Sequence, residues 1–191
     1  KVVFKETDEI LDKILLVATV AVFYALCFVI SISVQSQLGF TSLFTYIASI
    51  TLVVLVTSFR FYDRLVVYIV NPAVWGIFWV WFVGSYNAER DLLLGAVFSA
   101  VYFTLFYGAA IYYRLINDEI PSGETAGLVI SNSIIFYGFG YSLIDSRLEL
   151  QPFAGLFTAG HAALHSFVSQ LISRFKASRV DLVQALALLI I

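Results

Sequence analysis

Six stretches of this sequence, 14–34, 43–59, 65–83, 92–112, 125–144 and 153–172, contain no Asp, Glu, Lys or Arg and are otherwise strongly apolar. A helix rises about 1.5 Å per residue, so crossing a hydrocarbon core about 30 Å thick takes about 20 such residues. Each stretch is therefore a candidate span. The chain as a whole is 61% hydrophobic and 13% charged, whereas soluble domains are nearer one half apolar and one quarter charged. A water-soluble core has no room for that excess, and the expected fold is an all-α integral membrane bundle of about six helices.

The loops carry an orientation signal. If they alternate sides, one side holds Lys1, Lys5, Lys13, Arg60, Arg64, Arg114, Arg174, Lys176 and Arg179, and the other only Arg90 and Arg147. Basic residues in short loops stay in the cytoplasm. Both termini are thus expected there, and merging or dropping a helix would scramble the bias. The short connections make successive helices antiparallel neighbours in an up-and-down bundle. The sequence divides into a cytoplasmic segment 1–13, a transmembrane domain 14–173, and a basic link 174–191 that begins a further apolar helix. The longest loop, around 114–124, has the turn-forming residues Pro121, Ser122 and Gly123. The absence of methionine and the apolar end at Ile191 suggest an excerpt of a longer protein.

Several function classes are disfavoured. The formal net charge of -2 and the scattered basic residues offer no track for a phosphate backbone, so no nucleic acid partner is expected. The single cysteine, Cys27, supports neither a disulfide framework nor a thiolate ligand set. There is no Gly-x-Ser-x-Gly elbow, no phosphate-cradling glycine loop and no catalytic residue to name. No cofactor is expected.

Polar residues inside the spans supply the candidate sites. In the sixth, Gln151, Gly155, Thr158, His161, His165, Ser169 and Ser173 recur three or four apart and share one helix face. His161 and His165 have the i, i+4 spacing of paired zinc-ligating histidines. A catalytic metal would need a third ligand, and Asp145 and Glu149 sit at another depth. The plainer reading is hydrogen bonding across helices or the lining of a narrow crevice. In the fifth span Asn132 is polar, and Ser131, Gly138 and Ser142 form a small-residue face. Gly95 and Ser99, with Ala96 and Ala100, do the same in the fourth. Such faces let helices approach closely. Asn71 and Pro72 interrupt the third span, where proline removes a backbone hydrogen bond. A transport reading would bring His161, Thr158, Asn71 and Asn132 to one cavity. Aromatic residues near the span ends, Phe59, Phe61 and Tyr62 beside Arg60 and Trp79 and Trp81 near the outer end of the third span, read as an interfacial belt.

The aromatic-rich helix at 72–82, the stretch 131–143 with Asn132 and Tyr137, and the basic link before an Ala/Leu-rich segment at 174–191 resemble the bacterial family of polytopic membrane proteins named domain of unknown function 2339. The resemblance covers most of the chain from Phe40 onward. It implies a bacterial inner-membrane protein with more helices than these, and it carries no catalytic residue over. The resulting expectation is a non-enzymatic membrane domain, a scaffold or packing module of a larger envelope protein. Its partners would be membrane lipids and further helices of the same chain or of another protein. A transport or lipid-handling module is the first alternative, and a membrane-embedded metal-dependent hydrolase at His161 and His165 the second.

Overall fold

The computed structural model describes the backbone at 2–34, 36–61, 64–117 and 123–175, and side chains at 14–34, 36–58, 66–111 and 127–170. The segment expected to begin a further helix lies outside the described residues beyond 175, as does the turn at 118–122. Phe59, Phe61 and Tyr62 of the expected belt also fall outside the described side chains.

The described residues form six α-helices and no strand: α1 (Val2–Ser33), α2 (Gln37–Phe61), α3 (Arg64–Gly84), α4 (Ala88–Asn117), α5 (Gly123–Asp145) and α6 (Ala154–Phe175). A 3-10 turn at Gln151–Phe153 precedes α6. Helix α1 starts at Val2, so the charged stretch before the apolar run continues the same helix. Five helices, α1 to α5, are long and apolar enough to cross a membrane, which marks the chain as an integral membrane protein. The polar face of α6, with Thr158, His161 and His165, dilutes its apolar character.

Two compact units emerge, Lys1–Tyr86 and Asn87–Ile191. In the first, α3 packs on α1 and α2. Each helix contributes a buried stripe at helical spacing: Val20, Tyr24, Cys27 and Ser31 from α1, Phe40, Phe44, Ile47, Thr51 and Leu55 from α2, and Val70, Val74, Phe78 and Trp81 from α3. The Tyr24 hydroxyl meets Thr51 Oγ1 at 2.7 Å across the buried α1–α2 contact. Trp81 is fully buried, its ring 5.2 Å from both Phe44 and Phe78, while Trp79 is 59% exposed. The aromatic belt therefore divides: Trp79 faces outward, and Trp81 belongs to the core because α3 turns that side to α2. Helix α3 runs through Pro72 without a break. Ser36 opens α2 by accepting the Gly39 N–H at 3.1 Å, a hydroxyl cap on an otherwise unpaired donor.

In the second unit α5 packs against α4 and α6. Asn87 caps α4: its Oδ1 accepts the Glu89 N–H at 2.9 Å, and Asp91 Oδ2 reaches back to the Asn87 N–H at 3.1 Å. Asp91 has no exposed side-chain surface and receives two 2.8 Å bonds from Arg90, which is 46% exposed. At the same end Arg147 Nε donates to the Ala88 carbonyl at 3.0 Å, tying the link after α5 to the start of α4. Away from the cores, large apolar side chains such as Leu26, Val29, Leu52, Val53, Leu93, Ile134, Leu156 and Phe167 point outward. Such a surface suits lipid, since soluble monomers rarely expose wide apolar patches.

The small-residue faces differ from expectation. Ser131, Gly138 and Ser142 are exposed, and a Cβ at Gly138 would meet nothing within 4 Å. The close approach is at Gly140, where a Cβ would lie 2.3 Å from Phe157 Cζ of α6. On α4, Gly95 and Ser99 are buried but Ala96 and Ala100 are exposed. The serines on these faces satisfy their hydroxyls within their own turns, Ser142 to the Gly138 carbonyl at 2.8 Å and Ser99 to that of Ala96 at 3.1 Å.

Candidate functional site

Helices α5 and α6 meet in a regular antiparallel register. Gln151 Nε2 bonds Asp145 Oδ1 at 3.2 Å, Phe157 abuts Gly140, Tyr137 meets Thr158, and Ser133 meets His161 and His165. Partners descending α5 from 145 to 133 thus meet partners ascending from the turn at Gln151 to His165 on α6, so the side of α6 that carries its polar face runs beside α5. The i, i+4 spacing of the histidines follows the seam, and both Nε2 atoms reach the same hydroxyl.

Ser133 Oγ lies 2.9 Å from His161 Nε2 and 2.5 Å from His165 Nε2, and the two nitrogens are 3.1 Å apart. On the other side of the His165 ring, Nδ1 is 2.8 Å from the Tyr107 hydroxyl of α4. His165 is 0% exposed, Tyr107 and Ser133 are buried, and His161 is half-buried. The rings of Phe136, Tyr137 and Phe157 lie against His161 at 5.8, 5.4 and 6.3 Å between centroids. Asn132, one residue from Ser133, donates to the Phe103 carbonyl at 3.2 Å and joins α5 to α4.

Two neutral arrangements make the contacts a continuous head-to-tail chain, since a neutral imidazole has one donor and one acceptor nitrogen and serine has one proton. In one, Tyr107 donates to His165 Nδ1, His165 Nε2 to Ser133, and Ser133 to His161 Nε2. In the other every bond is reversed. In both, His161 Nδ1 remains without a partner; with Trp81 Nε1 it is one of two such buried atoms among the described side chains. A buried polar atom left unpaired costs about 1–3 kcal/mol.

The sequence candidates fall into separate places. Thr158, His161 and His165 line the α6 side of the seam, with Asn132 adjacent on α5. Thr158 is exposed, gives its proton to the Ala154 carbonyl at 3.0 Å, and so accepts from Tyr137 at 3.0 Å. Ser169 is half-buried further along α6, and the Ser173 side chain lies outside the described residues. Asn71 is buried in the first unit, on α3. As for a metal, the third donor next to the histidine nitrogens is the Ser133 hydroxyl. Among the described residues no group of three or more His, Cys, Asp and Glu could hold a metal ion.

No family model, curated protein or solved structure matches the chain. Function must therefore be argued from the molecule's own chemistry.

Tyr107 and Ser133 are the residues that sequence reasoning undervalued. Ser133 sat beside Asn132 in a helix rich in small residues, and Tyr107 was one aromatic among many. Their signal was available only as depth: counted from the span ends, Tyr107, Ser133 and His165 fall near the same level of the membrane.

Proposed function

We propose that the chain is a six-span, non-enzymatic membrane module with both termini in the cytoplasm, whose polar intramembrane residues serve to assemble helices. Its setting would be a larger envelope protein of the bacterial inner membrane, in keeping with the resemblance to domain of unknown function 2339. The observation that carries this reading is the use of the polar side chains. Tyr24 with Thr51, Tyr107 with His165, Ser133 with both histidines, and Asn132 with the Phe103 carbonyl each join two different helices. Among the described residues α6 buries only His165 and Val168, so its attachment leans on these bonds. The loop charge bias supports the orientation.

Two measurements test the proposal. In a Cys27→Ser background, single cysteines at Asn87 and Leu148 are expected to react with an impermeant maleimide from the non-cytoplasmic side, and one at Pro121 only after the membrane is opened. Labelling of N87C from the cytoplasm would overturn the topology. For the assembly role, interhelical hydrogen bonds in membranes contribute about 0.6 and at most about 1.7 kcal/mol. Ser133→Ala should lower the unfolding free energy in bicelles by about that amount. A rise in stability would mean that the cluster is strained for another purpose.

A further inference from the structure

We infer that the second unit contains a proton relay along the α5–α6 seam, entering at a cleft near Asp145 and Gln151 and running through His161, Ser133 and His165 to Tyr107. The inference rests on the membrane-spanning reading and goes beyond the assembly role, since the same hydrogen bonds that hold α6 also form a directional chain.

The entrance is an open cleft of about 200 Å³ lined by Tyr141, Ile144, Asp145, Gln151 and Ala154. One turn further along each helix, the Tyr137 and Thr158 hydroxyls bond at 3.0 Å, and Tyr137 packs on the His161 ring. Ala154 and His161 are separated by about 10 Å of helix rise, with that hydroxyl pair between them. His161 Nδ1 is the buried nitrogen without a partner. Beyond it the three contacts of 2.9, 2.5 and 2.8 Å through Ser133, His165 and Tyr107 are unbroken. The titratable groups that meet the imidazole pair from other helices are Tyr107 of α4 and Tyr137 of α5. Asp145 stands at the mouth, about 18 Å of helix rise from Ser133. Intramembrane histidines joined in this manner are the usual parts of proton pathways.

The step balances without leaving a charge. A hydronium ion that moves from the cleft past the Tyr137–Thr158 pair to His161 Nδ1 gives up its proton there and remains as water. His161 Nε2 passes its proton to Ser133 Oγ, whose own proton moves to His165 Nε2. His165 Nδ1 then protonates the Tyr107 oxygen, and water on the cytoplasmic side takes up the original Tyr107 hydroxyl proton as hydronium. One proton enters and one departs, and all four hydrogen bonding groups end neutral with the chain reversed. The relay resets when both imidazoles, His161 and the fully buried His165, return their proton to the starting ring nitrogen and the two hydroxyls rotate back.

The test uses the full chain in proteoliposomes that contain a pH-reporting dye, with a potassium diffusion potential as driving force. Membrane insertion is checked first by flotation and alkaline extraction, so a chain that fails to insert refutes the spanning reading rather than the relay. The inserted wild type is expected to acidify or alkalinise the lumen faster than protein-free vesicles do. Ser133→Ala and Tyr107→Phe should each cut the rate at least tenfold. Tyr24→Phe loses a comparable buried bond in the first unit and should keep the wild-type rate. Flux no higher than in empty vesicles, or equal loss in Y24F and S133A, would overturn the relay.

Discussion

Two glycines two residues apart on α5 should respond oppositely to the same substitution. At Gly138 an added Cβ meets nothing within 4 Å, whereas at Gly140 it would lie 2.3, 2.9 and 3.0 Å from three carbons of the Phe157 ring. Carbon atoms pack best at about 3.5–4.0 Å, so the ring would have to retreat by more than an ångström. It is not free to do so. Phe157 stacks on Tyr137 at 5.6 Å and 17°, and lies against Phe136 at 5.9 Å and His161 at 6.3 Å. Overpacking of this kind costs about 1–3 kcal/mol. Both substitutions share the gain from replacing helical glycine by alanine, about 0.5–1 kcal/mol, and that term cancels in their difference. Gly140→Ala should therefore unfold about 1–3 kcal/mol more easily than Gly138→Ala, measured by reversible unfolding in bicelles. The double variant Gly140→Ala, Phe157→Ala should recover part of the steric loss relative to Phe157→Ala alone. If the two single variants unfold within about 0.5 kcal/mol of each other, the α5–α6 register argued from Gly140 and Phe157 is wrong.

Three further outcomes follow from the cores. A double-mutant cycle on Tyr24→Phe and Thr51→Val should return a coupling of about 0.6 kcal/mol and no more than about 1.7, read from unfolding midpoints; zero coupling would remove the 2.7 Å bond from the account. Trp81→Ala should cost about 3–5 kcal/mol as a large buried aromatic, while Trp79→Ala, mostly exposed, should change stability by less than about 0.5 kcal/mol; equal effects would contradict the placement of Trp81 in the core. Asn132→Leu leaves the Phe103 carbonyl without its 3.2 Å donor and should weaken the α4–α5 contact by about 1 kcal/mol, visible as lower stability with unchanged helix content by circular dichroism.

Much of the architecture was legible because charge and length are local properties. The five uncharged runs from 14–34 to 125–144 each correspond to a helix apolar enough to span. The division into two units was not legible, since it depends on α3 packing back on α1 and on α4 pairing with α5. Small residues were a poor guide to contact. Gly138 and Ser142 share a face with Ser131, yet that face looks outward, and the facing contact uses Gly140 two residues on. Composition could show that a helix is able to approach another, but only the azimuth of α5 about its axis decides which glycine does. The same holds for the histidines: their spacing was visible, and the hydroxyls of Tyr107 and Ser133 that complete their bonds were not.

The two cations on the sparsely charged side of the chain are both engaged. Arg90 is clamped to Asp91, and Arg147 is bound to the Ala88 carbonyl at the opening of α4. On the proposed topology these arginines count against the charge bias during insertion, because positive charge is sensed before the folded partners exist. Once α4 and α5 have paired, the same side chains fasten the end of the unit. Neutralising Arg147 would thus sharpen the biogenesis signal while loosening the finished protein, and selection on one property would be visible as a penalty in the other.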